Sequence, residues 1–365
     1  MPLKLVKTME GKTKLWVPDL RKYGIPQHAP VFYNPIMGHD RSLSVELVKK
    51  YFGKRKVSLA DIMCGIGARA IRYANECGKN FTVYANDAQP TAIKIAKRNA
   101  ALNRVKINFC IGEANKFLLK HPKEKFDCID IDPFGSPSHF LNNAMMAIKP
   151  KKSLLCVTAT DVGALSGVYP EACFRKYGII SDVTSFQHEL GVRNLIFSVF
   201  REAAKFEYGI KPLYSYYNLH YYRTFIEMGG TKRSVNKSFD NIGYISYCDK
   251  CERREYYPIF EDAKTICECK NQRKLLGPTW LGKIGDMSFL PMDSDEIDNQ
   301  FEYDIDLPYY DLHAFAMTLG KEPPKTFEVM LHLRERGYKA EKTHFAGYGV
   351  KTNAPYEEVK KLIKK

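Results

Sequence analysis

The sequence predicts an α/β protein: a parallel sheet covered by helices on both faces, followed by a smaller α+β domain. Three observations lead there. Between about residues 57 and 160, short apolar runs alternate with helical patterns, as strands joined by crossover helices do. Beyond Lys205 the chain turns rich in aromatic and β-forming residues, and four cysteines then gather between 248 and 269. The 365 residues suffice for two domains with proper cores. The boundary is expected near 240, giving 1–240 and 241–365.

The elements follow in order. VSLADIM (57–63) reads as the first strand, with a helix from about Arg69 to Cys77. FTVYAND (81–87) precedes a helix through TAIKIAKRNAALN, and VKINFCIG (105–112) precedes the short helix KFLLKH. FDCIDID (126–132) leads into HFLNNAMMAI, and SLLCVTAT (153–160) completes the series. Strands this apolar are buried on both faces. Ligands of such sheets bind at the carboxyl ends of the strands, which puts Gly65, Asp87, Glu113 and Asp132 along one rim. Further on come an acidic loop, DSDEIDNQFEYDID (293–306), a helix near PKTFEVMLHLRERG and a basic end.

Composition narrows the function. Lys plus Arg number 56 against 41 Asp plus Glu, a net charge of +15. Such an excess favours a polyanionic partner, usually nucleic acid, through phosphate contacts and counterion release. No apolar run approaches the roughly 18 residues that span a membrane, and MPLKLVKTMEGKTKLWV lacks the apolar core and cleavage site of a signal peptide. A cytoplasmic protein is expected, with no membrane partner and no obligate protein partner. Six of the ten cysteines (Cys64, Cys77, Cys110, Cys128, Cys156, Cys173) are scattered and read as small buried hydrophobes.

DIMCGIGARA (61–70) is a strand entering a glycine turn and then a helix. Gly65 and Gly67 permit a tight turn that lets backbone N–H groups approach a ligand. Asp87, 20 residues after Gly67, ends the next strand, where a carboxylate can accept from both ribose hydroxyls of an adenosine. The glycine motif alone serves a dinucleotide and S-adenosylmethionine alike. Asp61, inside the strand, is awkward beside a pyrophosphate and suited to an ammonium group. The unit also begins behind a leading segment that could close over a second substrate, and GEAN (112–115) offers an acidic residue to an adenine amino group. Together these favour S-adenosylmethionine; a turn that only connects strand to helix, and a dehydrogenase, are the competing readings.

DIDPFG (130–135) carries the chemistry of the acceptor. Its Asp-Pro-aromatic order resembles the Asp-Pro-Pro-Tyr type motif of amino-methyltransferases. The lone pair of a nucleobase amine is delocalised into the ring. A carboxylate accepting from its N–H localises that pair and can take the departing proton, while an aromatic ring stacks on the extruded base. An Asp that caps the next helix is the plainer alternative. The form DPFG points further. With VFYNPIMGHDRSLSVEL (31–47), DIMCGIGARAIRYANE (61–76), YANDAQP (84–90), GEANKFL (112–118), VTATDVGALSGVYPEACFRKYG (157–178), HELGVRNL (188–195), HYYR (220–223) and GPTWLGKI (277–284), the chain resembles tRNA (guanine-N2-)-dimethyltransferases.

That resemblance implies a class I S-adenosylmethionine-dependent methyltransferase (Rossmann-like) domain that methylates guanine 26 of tRNA twice on N2. It implies Asp132 at the target amino group, and Phe134 and Phe32 holding the guanine. Arg41, Arg69, Asp87, Glu113 and Ala114 match the family's cofactor contacts, an Arg there serving as a bidentate donor to a carboxylate. Asp61, Gly65 and Gly67 complete the expected cofactor set. One departure is Asp40-Arg41-Ser42, where the family tends to have Asn-Arg-Asp, so local hydrogen bonding must differ. Other classes to weigh are methylation of another nucleobase amine, such as ribosomal RNA guanine N2 or adenine N6, and a non-catalytic RNA-binding protein.

Cys248-x-x-Cys251 and Cys267-x-Cys269 are separated by 15 residues. Four thiolates so spaced read as a closed tetrahedral zinc site in a small ribbon; reduced cysteines beside a β-hairpin are the alternative. The family often carries two C-x-x-C pairs here, whereas this chain has C-x-C in the second. The 241–365 segment is expected to bind tRNA.

Overall fold

The computed structural model describes residues 3–121, 123, 125–289 and 302–364; of the acidic loop, 293–301 lies outside the described residues. The chain divides into two compact units, Met1–Pro133 with His139–Val157, and Phe134–Ser138 with Thr158–Lys365.

The first unit opens with an antiparallel hairpin, β1 (Leu5–Glu10) and β2 (Thr13–Pro18), then α1 (Leu20–Tyr23) and α2 (Gly38–Phe52). The strand–helix alternation follows as the sequence predicts: β3 (Val57–Asp61), α3 (Ala68–Arg72), β4 (Phe81–Asp87), α4 (Pro90–Leu102), β5 (Ile107–Ile111), α5 (Ala114–Leu119), β6 (Cys128–Ile131), α6 (Ser138–Ala147) and β7 (Lys151–Ala159). The strands are parallel in the order β5-β4-β3-β6-β7. From β3 the chain first builds outward through β4 and β5, then returns to add β6 on the other side. The reversal opens a crevice at the carboxyl ends of β3 and β6, where such sheets bind ligands.

Local chemistry sets the boundaries. Pro90 starts α4 behind an extended Gln89, because its fixed φ suits the first turn and its missing N–H costs nothing there. Helix α3 passes into a π-helical turn, Tyr73–Cys77, and Gly78 ends it at φ +124°. Strand β2 packs Leu15 and Val17 against Ile66, Ile71, Ala92 and Ile95. Asn99 of α4 bolts this assembly: it accepts from the Trp16 N–H at 2.6 Å and donates to the carbonyls of Trp16 and Ile66, 3.1 Å each. The leading hairpin thereby braces the glycine turn.

The second unit contains α7 (Val162–Leu165), α8 (Pro170–Tyr177), α9 (Gln187–Ala204) and an antiparallel pair, β8 (Gly209–Asn218) and β9 (Tyr221–Gly229). Helix α10 (Lys232–Phe239) leads to a three-stranded antiparallel sheet with β10 (Ile242–Tyr247) between β11 (Arg254–Pro258) and β12 (Lys274–Trp280). Last come β13 (Tyr310–Asp311), α11 (Leu312–Thr318), α12 (Thr326–Glu335), β14 (Ala340–Lys342), β15 (Gly349–Thr352) and α13 (Tyr356–Lys364). They share a core that includes Leu312, Phe315, Leu333, Val350 and Val359.

A charged triad is buried in this unit. Glu189 and Arg193 of α9 pair at 2.7 Å, and Lys351 of β15 reaches the same carboxylate at 2.9 Å. Further bonds tie the triad in: Arg193 donates to the carbonyls of Trp280, Gly282 and Asp306, and Glu189 accepts the Tyr309 N–H. Burial raises the proton affinity of Glu189, but Lys351 and Arg193 outweigh it and keep the group ionised. Among the described residues, no helix is long and apolar enough to cross a membrane.

Candidate active site

Gly65 and Gly67 adopt φ +53° and +78°, left-handed conformations that cost glycine little. A Cβ at Gly67 would lie 2.9 Å from the Ala96 methyl, so only glycine lets α3 start this close to α4. The Gly65 N–H donates to Asp87 Oδ2 at 2.8 Å, and Asp87 Oδ1 accepts the Gln89 N–H at 2.8 Å. The turn and the β4 carboxylate are thus locked together at the rim. Asn86 ties three strand ends by donating to the carbonyls of Ile62 and Gly112 at 3.0 and 2.9 Å. Glu113 caps α5, accepting the N–H groups of Asn115 and Lys116 at 2.9 Å each, and Ala114 is buried behind it.

One guanidinium organises the β3–β6 crevice. Arg69 lies 2.9 Å from Asp40, 2.5 Å from Asp132 and 3.8 Å from Asp130, and donates to Ser44 Oγ at 2.7 Å. Burial opposes its charge, but Asp130, Asp40 and Asp132 outweigh that and hold it protonated. Asp130 also accepts the Tyr73 hydroxyl at 2.7 Å. Asp61 is the parallel neighbour of Asp130. Burial, followed by repulsion from Asp130 and Asp132 and only partly offset by Arg69, pushes its pKa up to about 8. Three carboxylates so share one buried cation beside a fourth acid, Asp61, an arrangement that favours a positively charged ligand. Asp132 alone of the four reaches the surface, with its side chain 27% exposed against 1% for Asp40 and 0% for Asp130, and with 3% exposure for the whole of Asp61.

The other anticipated residues sit as follows. Phe32 is half-buried between Val31 and Tyr33, both of which enter the first unit's core. Phe134, two residues beyond Asp132, is 74% exposed. Arg41 is engaged by Glu10 through Nε–Oε1 and Nη2–Oε2 contacts of 2.7 and 2.6 Å, and lies over the Tyr33 ring. The Asp40-Arg41-Ser42 departure has a local account: Asp40 serves Arg69, while Ser42 donates to the Gly38 carbonyl and accepts from Arg72.

In the second unit the sulfurs of Cys248, Cys251, Cys267 and Cys269 all lie within 4.8 Å of one another. Cys248 is 3.5 Å from Cys269, and Cys251 is 3.5 Å from Cys267. A tetrahedral zinc with Zn–S of about 2.3 Å sets its sulfurs about 3.8 Å apart, so the cluster has the right size. The C-x-C half does bring Cys269 into the group. Hydrogen bonds from the side chain and backbone of Asn271 draw its thiol down to about 6, leaving it a thiolate at neutral pH, the form a metal binds. Of the six scattered cysteines, five are buried and Cys110 is half-buried.

Residues 11–364 match the family described as N2,N2-dimethylguanosine tRNA methyltransferase. The chain belongs to this family. It is 35% identical to a tRNA (guanine(26)-N(2))-dimethyltransferase of Methanosphaera stadtmanae, over 97% of this chain and 95% of that protein. A protein of the same name from Methanobrevibacter smithii is 36% identical over 98% and 97% of the two chains. Among solved structures, Trm1 from Pyrococcus horikoshii in complex with S-adenosyl-L-methionine is similar at a TM-score of 0.84 and 31% identity, covering 97% of this chain and 98% of that one. The expected Rossmann-like methyltransferase fold is the fold of this family member.

Within this N2,N2-dimethylguanosine methyltransferase framework, three groups escaped sequence reasoning. Asp40 and Tyr73 hold Arg69 and Asp130, and Glu10 holds Arg41. Asp40 adjoins Arg41 in a segment that carries the resemblance, which was a usable signal. Glu10 lies 31 residues from Arg41, and no local pattern announces that pairing.

Proposed function

We propose that the protein transfers methyl groups from S-adenosylmethionine to N2 of guanine 26 in tRNA, giving N2-methylguanosine and then N2,N2-dimethylguanosine. The observation that carries this reading is Asp132: a half-exposed carboxylate held by Arg69 at the tip of β6, in a chain that matches the family along nearly its whole length. The donor set suits the cofactor. Asp87 on the rim can accept from ribose hydroxyls, the glycine turn lets backbone come close, and the acidic cluster around Asp61 suits a ligand bearing an ammonium and a sulfonium. Arg41, Asp61, Gly65, Gly67, Arg69, Asp87, Glu113 and Ala114 are the residues assigned to it.

When bound, S-adenosylmethionine supplies an electrophilic methyl group. The protein's part is to present the amine. Phe32 and Phe134 each offer a ring to the guanine, and base–aromatic stacking contributes roughly 1–3 kcal/mol per base. Asp132 accepts a hydrogen bond from the N2 amine, concentrating its lone pair, and takes up the proton the nitrogen loses on methylation. The monomethylated amine keeps one N–H, so the same carboxylate, once it has passed the first proton to solvent, serves the second round. Residues 241–365 are assigned to tRNA binding, and zinc would hold their four-cysteine cluster as a ribbon. A cytoplasmic location goes with a tRNA substrate.

Nucleoside mass spectrometry of tRNA incubated with the protein and methyl-labelled cofactor tests the reading. Label should appear as N2-methylguanosine and N2,N2-dimethylguanosine, and a guanine-26→adenine tRNA should take none. Label on another nucleoside, or equal labelling of the altered tRNA, refutes it.

A further inference from the structure

The tip of β6 runs into Phe134–Ser138, a short loop that belongs to the second unit. Phe134 is 74% exposed, and the backbone of this loop carries its ring. Gly135 follows at φ +84°, with nothing within 4 Å of an added Cβ; conformation rather than crowding selects glycine there.

Two hydrogen-bonded anchors hold this loop. At Gly135 the backbone N–H donates to Thr160 Oγ1 at 2.6 Å, and its carbonyl accepts the Thr160 N–H at 3.0 Å. At Ser136 the hydroxyl lies 2.7 Å from the Tyr177 oxygen, and Tyr177 in turn lies 2.7 Å from Asp161 Oδ1. Since Tyr177 has one proton and an ionised carboxylate can only accept, the order runs Ser136 to Tyr177 to Asp161. Burial, reinforced by the Asp161 charge, raises the Tyr177 phenol well above its ordinary range, so it keeps that proton. Lys176 sits 3.1 Å from the other Asp161 oxygen and balances the charge. Tyr177 is fully buried and Ser136 is 7% exposed, which shields both bonds from competing water. Thr160 and Asp161 stand directly after β7, so both anchors spring from the end of a strand.

We propose that Thr160 and the Ser136–Tyr177–Asp161 chain are positioning residues for methyl transfer, fixing the loop that carries Phe134 and with it the ring offered to the target base. This inference rests on the proposed function. None of the four residues needs to touch base or cofactor. Their effect is on geometry, and displacing a reacting group by about 1 Å can cost about a hundredfold in rate.

The test compares Thr160→Val, Thr160→Ser and Tyr177→Phe in full-length protein. Thr160→Val keeps the side chain's shape and removes only its hydroxyl, at an exposed position where folding is spared. Single-turnover transfer to tRNA should fall about tenfold or more in Thr160→Val and Tyr177→Phe, and return to near the wild-type rate in Thr160→Ser. Affinity for S-adenosylmethionine should be unchanged in all three. Hydrogen exchange at the Gly135 amide should quicken in Thr160→Val and not in Thr160→Ser. A Thr160→Val rate within twofold of wild type overturns the inference, as does a Thr160→Ser variant as slow as Thr160→Val. Wild-type protein that leaves guanine 26 unmethylated refutes the proposed function instead, and is seen before any variant is made.

Discussion

Replacing Asp61 with asparagine separates what the acidic crevice costs from what it is for. In the folded protein Asp61 keeps its proton up to about pH 8, whereas an unperturbed Asp titrates near about 3.9. Between those limits the folded state binds more protons than the unfolded chain. The group's stabilising contribution is therefore complete below about pH 4 and is lost as pH rises toward 8. At about 1.36 kcal/mol per unit, wild type should lose on the order of 3 kcal/mol from this residue between pH 5 and pH 8. The Asp61→Asn variant has no charge to form, so that part of the slope disappears and the variant becomes the more stable protein at pH 8. Urea unfolding of cofactor-free protein at both pH values, followed by hydrogen exchange in β3 and β6, measures the difference. The same variant should bind S-adenosylmethionine more weakly, because the carboxylate meant for its ammonium is gone. Identical pH slopes in wild type and variant would refute the reasoning.

Other substitutions probe the remaining parts. Asp132→Ala should abolish methyl transfer while tRNA affinity stays within a few-fold; wild-type turnover in that variant would sink the assignment. Metal analysis should find about one zinc per chain and markedly less in Cys248→Ser, whereas equal metal in both proteins excludes the four-cysteine site. Glu189→Gln leaves Arg193 and Lys351 buried without their anion and should destabilise the second unit by about 3–5 kcal/mol. Lys351→Met, which leaves the Glu189–Arg193 pair in place, should cost less, and the reverse ranking by urea unfolding would contradict the account.

The parallel sheet was legible because its central strands are largely buried and so spell apolar runs; β6 is buried at all four positions, while the edge strand β5 has none fully buried. The rim was legible too, since glycines and carboxylates at strand ends break those runs. The partners across the crevice were less so. For Asp130 the sequence leaves a structural role as open as a catalytic one, and the partner the fold gives it, Tyr73, lies 57 residues away. Asp132 looks as if it waits for substrate, yet Arg69 already holds it from 63 residues away. Such pairings follow from topology and leave no periodic trace in the chain. Glu113 shows a different limit: its motif marks the position, while its capping of α5 depends on where that helix starts. The C-x-C spacing posed a question that only the turn at Lys270, φ +65°, and the Asn271 hydrogen bonds answer.

The buried Glu189–Arg193–Lys351 triad bears on how β15 finds its place. All four residues of that strand are buried, so the usual alternation of apolar and polar side chains cannot tell one face from the other. A strand without that pattern is prone to slip by a residue, and a slip of one turns every side chain over. Lys351 breaks the tie. Its ammonium meets the Glu189 carboxylate at 2.9 Å only when Lys351 pairs with Glu341 and Val350 with Lys342; one step either way would strand a charge in the core. A lysine in an otherwise uncharged strand acts as a registration pin, and an apolar replacement that preserved stability would still surrender the alignment of the C-terminal sheet.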